Sequence, residues 1–168
     1  MDILINKLKN AARKLEPVRL YSRIMNEKGM RELVIDLNTG KPGRTLPTSQ
    51  LWHGINSKGI RLEDIGGAYS PATIEGIPGV FKGKREKGLP FDRVTLYDSG
   101  EFYESFEVRT EATGDDLFIV IEADTNIHGA DLDSDWGRDI VGLTDENIDI
   151  FSRKFVEMVK KEINDAFA

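Results

Sequence analysis

The stretch FEVRTEATGDDLFIVIEA, residues 106–123, decides the fold class. Its two halves, 106–112 and 117–123, are rich in β-branched and aromatic residues, and the TGDD sequence at 113–116 is typical of a turn. The stretch therefore predicts a β-hairpin. Its second strand is apolar at five consecutive positions, 117–121, which predicts a central strand that is covered on both faces.

Downstream of the hairpin, an acidic loop over 124–142 leads to a long amphipathic helix. Thr144 is the expected N-cap, and Asp145 and Glu146 suit the first turn because carboxylates interact favourably with a helix N-terminus. Apolar residues then recur at three- and four-residue steps, namely Ile148, Phe151, Phe155, Val159, Ile163 and Phe167. The opposite side is expected to be solvated and consists of Asp149, Arg153, Glu157, Lys160, Lys161 and Asn164.

Upstream of the hairpin, the N-terminal segment (1–37) predicts two helical pieces. An apolar stripe predicts a helix over 2–16, and Pro17 stops or kinks it because proline lacks an amide donor. The stripe consists of Leu4, Leu8, Ala11, Ala12 and Leu15, and helical spacing resumes with Val18, Tyr21 and Met25 before fading at 27–29. Residues 33–37 leave strand and helix equally open.

The middle region (38–93) is irregular. Gly, Pro, Ser and Thr dominate it as far as residue 90, which predicts loops, turns and at most brief strands. Long irregular stretches are often arms that a partner orders, and KGKREKG at 82–88 predicts a flexible basic loop. The hairpin, the acidic loop and the long helix form the last segment (94–168).

These patterns predict one α+β domain over 1–168. It combines an antiparallel β-sheet with N-terminal helices, a long C-terminal amphipathic helix and a Gly/Pro-rich arm. The chain is 39% hydrophobic and 31% charged, as expected for a folded domain of this length. No apolar run approaches the roughly 18 residues of a membrane span, and the N-terminus lacks the shape of a signal peptide. We therefore expect no membrane partner.

The net charge of −6 is unevenly distributed. Residues 1–93 hold 17 Lys and Arg against 10 Asp and Glu, a balance of +7, whereas residues 94–168 hold 6 against 19, a balance of −13. Such a split suits a fit within one chain, a head-to-tail fit between copies, or a basic face for an anionic partner.

Several classes of chemistry find little support. The chain has no cysteine, which excludes disulfides, thiolate metal sites and cysteine nucleophiles. The two histidines, His53 and His128, are far apart in sequence, and neither accompanies a nucleophile motif. Residues 83–88 have the glycine spacing of a P-loop, but Leu89 and Pro90 follow where lysine and a hydroxyl are needed. We expect no enzyme, catalytic residue, cofactor, metal or small-molecule substrate.

Calcium is a minor alternative in the acidic loop. The register that begins with Asp131, Asp133 and Asp135 places Trp136 where a calcium loop needs glycine, and Gly142 where it needs glutamate. A second register fits better and uses Asp124, Asn126, His128, Gly129 and Asp135, although histidine is a poor calcium ligand. A solvated or partner-facing acidic loop is the favoured interpretation.

Nucleic-acid binding is the main alternative to an assembly role. Five cations cluster in the middle region and could follow a phosphate backbone, namely Lys82, Lys84, Arg85, Lys87 and Arg93. No interleaved aromatic platform and no recognition helix accompany them.

Two motifs carry a family resemblance. GIRLEDIGGAYSPATI at 59–74 contains Tyr69 followed by a Ser-Pro turn and Thr73, and VTLYDSGEFYESF at 94–106 follows about twenty residues later. This pair resembles the virion-morphogenesis and tail-completion proteins of tailed phages. In the second motif Asp98 or Ser99 is expected to cap a short helical turn, with Gly100 permitting tight geometry, Phe102 and Phe106 anchoring the turn, and Ser105 satisfying a nearby backbone group.

The resemblance implies a non-enzymatic virion protein that forms a ring at the head–tail junction or the top of the tail. In the virion it would be a tail-completion, neck-ring or tail-hub subunit. It would be made in the cytoplasm of the bacterial host. The expected partners are further copies of the chain and neighbouring connector or tail proteins, with DNA in the lumen left open. The expected interfaces are the basic arm around 82–87 and the acidic loop around 131–135.

Overall fold

A computed structural model describes residues 16–40, 42–43 and 45–167, so the helix predicted over 2–16 lies outside the described residues apart from Glu16. The described chain has the predicted α+β class, but its strands form three separate two-stranded antiparallel sheets. No helix in these ranges is long and apolar enough to cross a membrane.

The elements follow one another in this order. The N-terminal half contains α1 (Pro17–Asn26), α2 (Lys28–Asn38), a 3-10 turn (Leu51–His53), α3 (Glu63–Gly66), α4 (Pro71–Glu75), β1 (Gly76–Ile77) and β2 (Phe81–Lys82). The C-terminal half contains α5 (Glu101–Glu104), β3 (Glu107–Thr113), β4 (Asp116–Glu122), β5 (Asn126–Ile127), β6 (Ala130–Asp131), α6 (Leu132–Trp136), a 3-10 turn (Arg138–Ile140) and α7 (Asp145–Phe167).

The predicted hairpin is confirmed, but its second strand is not central. β3 and β4 pair from Glu107 opposite Glu122 to Thr113 opposite Asp116. β4 has no other neighbouring strand within the described residues, and Phe118 and Ile119 are 52% and 37% exposed. The prediction of a strand covered on both faces is wrong, because the helices pack only against the Val108–Ile121 end of the hairpin.

The first hydrophobic cluster joins the N-terminal helices to α7 and the hairpin. Its buried members are Leu20, Ile24, Met25, Met30, Val34, Leu37, Val108 and Phe151. Pro17 lies at the start of α1, where a missing amide donor costs nothing. The ambiguous stretch 33–37 is helical and lies inside α2.

The second cluster is built largely from the region predicted to be an arm. Its buried members are Leu51, Leu62, Val94, Phe102, Tyr103, Phe106, Leu132 and Ile140. Leu51 and Leu62 are completely buried, so this part of the irregular region is core and not a free arm. Ile35 and Ile121 pack against both clusters and make them continuous.

The long helix α7 agrees with its predicted limits but is rotated relative to the predicted stripe. The hydroxyl of Thr144 accepts the Asn147 N–H at 3.3 Å, which confirms the N-cap. Phe151 is buried as expected. Three residues of the predicted stripe are exposed instead, namely Ile148, Ile163 and Phe167, because the core-facing side runs through Asn147, Ile150, Phe151, Phe155 and Met158. All six residues of the expected solvated side are exposed.

A buried polar network holds α7 to the rest of the fold. The Asn147 side-chain amide donates to the Leu37 carbonyl at 3.0 Å and to the Thr48 carbonyl at 2.9 Å. The Gln50 side chain accepts the Thr144 N–H at 3.0 Å and donates to the Gly142 carbonyl at 2.7 Å. The end of α2, the loop that follows it and the start of α7 therefore meet at one point.

This network predicts an unequal response to two asparagine substitutions on α7. Asn147→Ala removes the donor of the Thr48 carbonyl and one of the two donors of the Leu37 carbonyl, which keeps the Gln50 N–H at 3.0 Å, and we expect it to lower the free energy of unfolding by about 2 kcal/mol. The exposed Asn164 is the matched control, and Asn164→Ala should change that free energy by less than about 0.5 kcal/mol. Urea unfolding followed by tryptophan fluorescence measures both, and equal effects would contradict the role given to the network.

Candidate interaction surfaces

The two motifs that carry the family resemblance meet at Thr95. The Tyr69 hydroxyl of the first motif accepts the Thr95 N–H at 2.9 Å. The Tyr103 hydroxyl of the second motif donates to the Thr95 carbonyl. Thr95 is completely buried, so both of its backbone groups are satisfied by tyrosine hydroxyls and not by secondary structure. The motif pair is thus one packed unit, although its halves lie about twenty residues apart in the sequence.

Lys84 completes this unit. Its side chain is buried, with 3% of the residue exposed. The Nζ atom donates to the Tyr97 carbonyl and lies 4.5 Å from the centre of the Tyr69 ring. A buried ammonium group is costly unless polar partners replace its water, and here a carbonyl and an aromatic face do so. We call Tyr69, Lys84, Thr95, Tyr97 and Tyr103 the tyrosine–lysine cluster.

The other cations of the predicted basic loop are also engaged. Lys82 pairs with Glu86 at 2.9 Å, Lys87 with Asp98 at 2.6 Å, Arg85 with Glu75 at 3.2 Å, and Arg93 with Asp92 at 2.9 Å. The Arg85 guanidinium also lies over the Phe91 ring at 4.6 Å. The prediction of a flexible basic arm is therefore wrong, because buried Lys84 and the backbone N–H groups of Lys84 and Arg85 hold the segment against its surroundings, whereas the exposed ion pairs add little.

The motif residues have identifiable structural roles. Ser70 caps α4, since its hydroxyl accepts the Thr73 N–H at 3.1 Å. Gly100 has φ of 99°, a backbone conformation that favours glycine, and a Cβ there would lie 3.2 Å from the Tyr97 hydroxyl. Phe102 and Phe106 are buried with ring centres 5.2 Å apart, as predicted.

The predicted contacts of three further motif residues differ in outcome. The Ser105 hydroxyl accepts the Asp124 N–H at 2.9 Å, which confirms its expected role. Gly100 occupies the N-cap position of α5 and offers no side chain to cap it. Of the two predicted caps, Ser99 accepts the N–H of Glu101, the first residue of α5, at 3.4 Å, whereas Asp98 pairs with Lys87.

The acidic loop uses its carboxylates in local structure. Asp131 caps α6 by accepting the Ser134 N–H at 3.2 Å, and Asp124 accepts the Asn126 N–H at 2.9 Å. His128 lies 2.7 Å from Glu101, whereas His53 is exposed. Over the described ranges, no three His, Asp or Glu side chains converge as metal ligands would, so neither calcium register is assembled.

The charge split is used partly within the chain. Among the described residues, three ion pairs cross the boundary between the basic and acidic halves, joining Arg23 to Glu162, Lys58 to Asp139 and Lys87 to Asp98. They involve largely exposed groups and contribute little stability individually. These three pairs neutralise only three of the 13 excess negative charges of residues 94–168.

Several large apolar residues of the described chain are exposed, among them Ile60, Ile65, Phe91 and three groups that each share one element. The turn between β1 and β2 exposes Ile77, Val80 and Phe81. The hairpin exposes Phe118 and Ile119, and the side of α7 turned away from the core exposes Ile148, Val156, Ile163 and Phe167. Sequence periodicity assigned most of the second and third groups to the core. The first group has a local signal, because IPGVF at 77–81 places three large apolar residues around a Pro-Gly turn.

A search among protein families, curated proteins and solved structures finds no match for this chain.

The tyrosine–lysine cluster predicts that charge reversal acts very differently at two neighbouring lysines. Lys84→Glu places a carboxylate against the Tyr97 carbonyl, and we expect the free energy of unfolding to fall by about 3 kcal/mol. Lys82, whose side chain is 71% exposed, is the control, and Lys82→Glu should cost less than about 0.5 kcal/mol. Chemical denaturation compares the variants, and a Lys84→Glu protein as stable as the wild type would restore the interpretation of a free basic arm.

Tyr103 predicts a loss of stability at alkaline pH. Burial, reinforced by Tyr69 and Tyr97, raises the pKa of the Tyr103 hydroxyl well above its ordinary value of 10.0. The unfolded chain releases this proton at lower pH than the folded one does. The contribution of Tyr103 to the free energy of unfolding is therefore complete below pH 10 and declines as the pH rises above it. Tyr103→Phe should cost about 1 kcal/mol at neutral pH, because the Thr95 carbonyl loses its donor.

The same substitution should flatten the alkaline decline, since phenylalanine has no proton to release. Free energies of unfolding measured from pH 7 upward test this. Tyr21→Phe is the control, because Tyr21 is a half-buried tyrosine outside the cluster. Parallel pH profiles for the wild type and Tyr103→Phe would contradict the assignment.

Proposed function

We propose that the chain is a non-enzymatic structural protein of a tailed-phage virion. In this proposal it is a tail-completion, neck-ring or tail-hub subunit that forms a ring with its own copies at the head–tail junction. Its other partners are neighbouring connector or tail proteins. It reaches the virion after synthesis in the cytoplasm of the bacterial host.

The observation that carries the proposal is the uncovered strand β4. A two-stranded hairpin is marginally stable by itself, and large apolar side chains are costly to leave in water. Yet Phe118 and Ile119 are exposed and the outer edge of β4 is unpaired among the described strands. A subunit that meets further copies or neighbours along this strand would bury these side chains and pair this edge.

Two further features support an assembly role. The motifs that resemble the tail-completion family form one contiguous unit around Thr95, which is what a shared structural motif requires. The uneven charge also suits a ring, because head-to-tail contacts bring different faces of neighbouring copies together and opposite charges on those faces attract.

Nucleic-acid binding through the basic half is supported less than assembly. Lys84 is buried and the other four cations lie beside carboxylates, so fewer free charges face a phosphate backbone than the sequence indicates. A steep fall of duplex or single-strand affinity with salt would favour this alternative over a purely protein partner.

Assembly can be tested by a substitution on β4. Phe118→Ser should leave the free energy of unfolding within about 0.5 kcal/mol, because the side chain is exposed. It should reduce ring formation by the chain, alone or mixed with the connector and tail proteins of the same genome. Light scattering at low and high salt and averaged electron micrographs measure the assemblies.

Thr113→Ser, an exposed change in the same hairpin, is the matched control and should assemble as the wild type does. A wild-type chain that remains monomeric and binds none of those virion proteins under any of these conditions would contradict the proposed function. Normal assembly by Phe118→Ser would contradict the role of β4 in it.

A further inference from the structure

One face of the β3–β4 hairpin is covered at one end only. Val108 and Ile121 lie opposite each other and pack in the first cluster. Side chains alternate along a strand, so Ile119 and Leu117 lie on the same face as Ile121. Neither belongs to a hydrophobic cluster of the described residues, and Ile119 is 37% exposed. We call the uncovered part of this face, towards the turn, the open face, and it consists of Thr110, Ala112, Leu117 and Ile119.

The hairpin around the open face is strongly acidic. Residues 107–122 hold five Asp and Glu against one cation, Arg109, a balance of −4. Arg109 is already engaged, because it pairs with both Glu111 and Glu122. Asp115 and Asp116, which directly precede Leu117, are exposed and have no ion-pair partner among the described residues. A segment that covers the open face should therefore be apolar on one side and carry cations beside that side.

The N-terminal part of the chain enters the fold beside this hairpin. α1 lies against both β3 and β4, and its Leu20 shares the first cluster with Val108. The Glu16 carbonyl accepts the Leu20 N–H at 2.9 Å, so residues 1–15 are joined to the chain one helical turn from the covered end of the face. Glu16 has ψ of 119°, an extended backbone conformation, so the chain changes direction immediately before α1.

Residues 1–15 have the composition that the open face requires. Their sequence has the apolar stripe at helical spacing that predicts a helix over 2–16. Against one acid, Asp2, they hold four cations, namely Lys7, Lys9, Arg13 and Lys14, a balance of +3. On such a helix Lys7 and Lys14 would border the stripe two turns apart. Fifteen helical residues span about 22 Å, whereas the face from Val108 to Ala112 spans about 14 Å, so the stripe is long enough to cover it.

The exposed apolar residues of α7 suit this segment less well. Val156 and Ile163 are exposed, but Lys160 lies one helical turn from each of them and Lys161 follows it. A basic segment would meet like charges there. The hairpin offers carboxylates instead, and its single cation is already paired. Charge therefore favours the open face over α7 as the surface that residues 1–15 cover.

We propose that residues 1–15 pack on the open face of the hairpin of their own chain and bury Ile119 and Leu117. The contact extends the first cluster towards the turn, and the cations that border the stripe lie beside the carboxylates of the hairpin. It does not depend on the proposed function. Phe118 points to the other face of the hairpin, so that side chain and the outer edge of β4 remain open to a neighbouring copy.

The absence of cysteine permits a test by disulfide formation within one chain. We expect a Leu8→Cys, Ile119→Cys chain to form an internal disulfide at a rate that does not depend on protein concentration. The matched control is Leu8→Cys, Phe118→Cys, because Phe118 neighbours Ile119 in sequence but points to the opposite face. Leu4→Cys and Leu15→Cys replace Leu8→Cys in parallel pairs, so that the register of the segment does not decide the outcome. The fastest Ile119 pair should oxidise several-fold faster than its Phe118 control, and equal rates in all three comparisons would overturn the inference.

A second pair of variants tests the contact without a cross-link. Leu8→Asp puts a charge into the apolar stripe, so the hairpin should lose its cover and open more often. We expect backbone hydrogen exchange over residues 110–119 to become several-fold faster, as measured by mass spectrometry of the hairpin peptide. Asn6→Asp is the control, because it adds the same charge on the side of the predicted helix that faces away from the stripe. Unchanged exchange in Leu8→Asp, or an equal rise in both variants, would contradict the contact.

Other positions of residues 1–15 give distinct results, each of which also overturns the inference. If the segment covers α7, a Leu8→Cys, Val156→Cys chain oxidises faster than the Ile119 pair. If it covers the hairpin of a second copy, the disulfide joins two chains and its rate rises with protein concentration. Both tests use the unassembled full-length chain. Failure of ring formation would therefore refute the proposed function alone, whereas equal rates for the Ile119 and Phe118 pairs would refute this contact alone.

Discussion

The buried amide of Asn147 is the contact on which the rest of the structure depends. It donates to carbonyls from the end of α2 and from the loop after it, while Gln50 joins that loop to the chain before α7. The amide nitrogen of Asn147 is satisfied by these carbonyls, whereas its Oδ1 is buried without a partner, and leaving a buried donor or acceptor unpaired costs more than a hydrogen bond returns. The network therefore fixes the direction in which the chain leaves α2. Leu51 follows directly, and the irregular region enters the second hydrophobic cluster at that residue.

The tyrosine–lysine cluster fixes the position of the middle region (38–93), which contains little regular structure. Desolvation of an ammonium group costs several kcal/mol, which a carbonyl and an aromatic face must offset. The cluster is therefore stable only when Tyr69, Lys84 and Tyr97 are all in place. Because these residues depend on one another, the chain from α4 to the second motif is held together as one packed unit, which we call the platform. Because the platform is fixed, the turn over 77–81 at its edge has a defined position.

Periodicity predicted the elements that are governed by local chemistry. The β-hairpin follows from its turn and its β-formers, and α7 follows from the Thr144 cap and its apolar spacing. Long-range partners could not be predicted in this way. Lys84 looks like a solvated cation in the sequence because its carbonyl partner is 13 residues away. Asn147 gives no signal for burial, yet it sets the rotation of α7, which turns Ile148 outward. The apolar run of β4 has the pattern of a central strand, yet β4 pairs only with β3 among the described strands, because a sequence pattern does not say which elements of the fold will lie beside a strand.

Charge decides between the two kinds of contact that such apolar surfaces can make. An isologous contact places the same patch of two copies face to face. In the C-terminal half, which carries a balance of −13, that arrangement would oppose like charges across an interface. β4 belongs to this half, and its neighbouring turn carries Asp115 and Asp116. A head-to-tail contact, as in the proposed ring, would instead set this acidic surface against a different face of the next copy, which does not repeat the same charges. Apolar burial supplies the driving force for either arrangement, so the uneven charge is what favours the head-to-tail one.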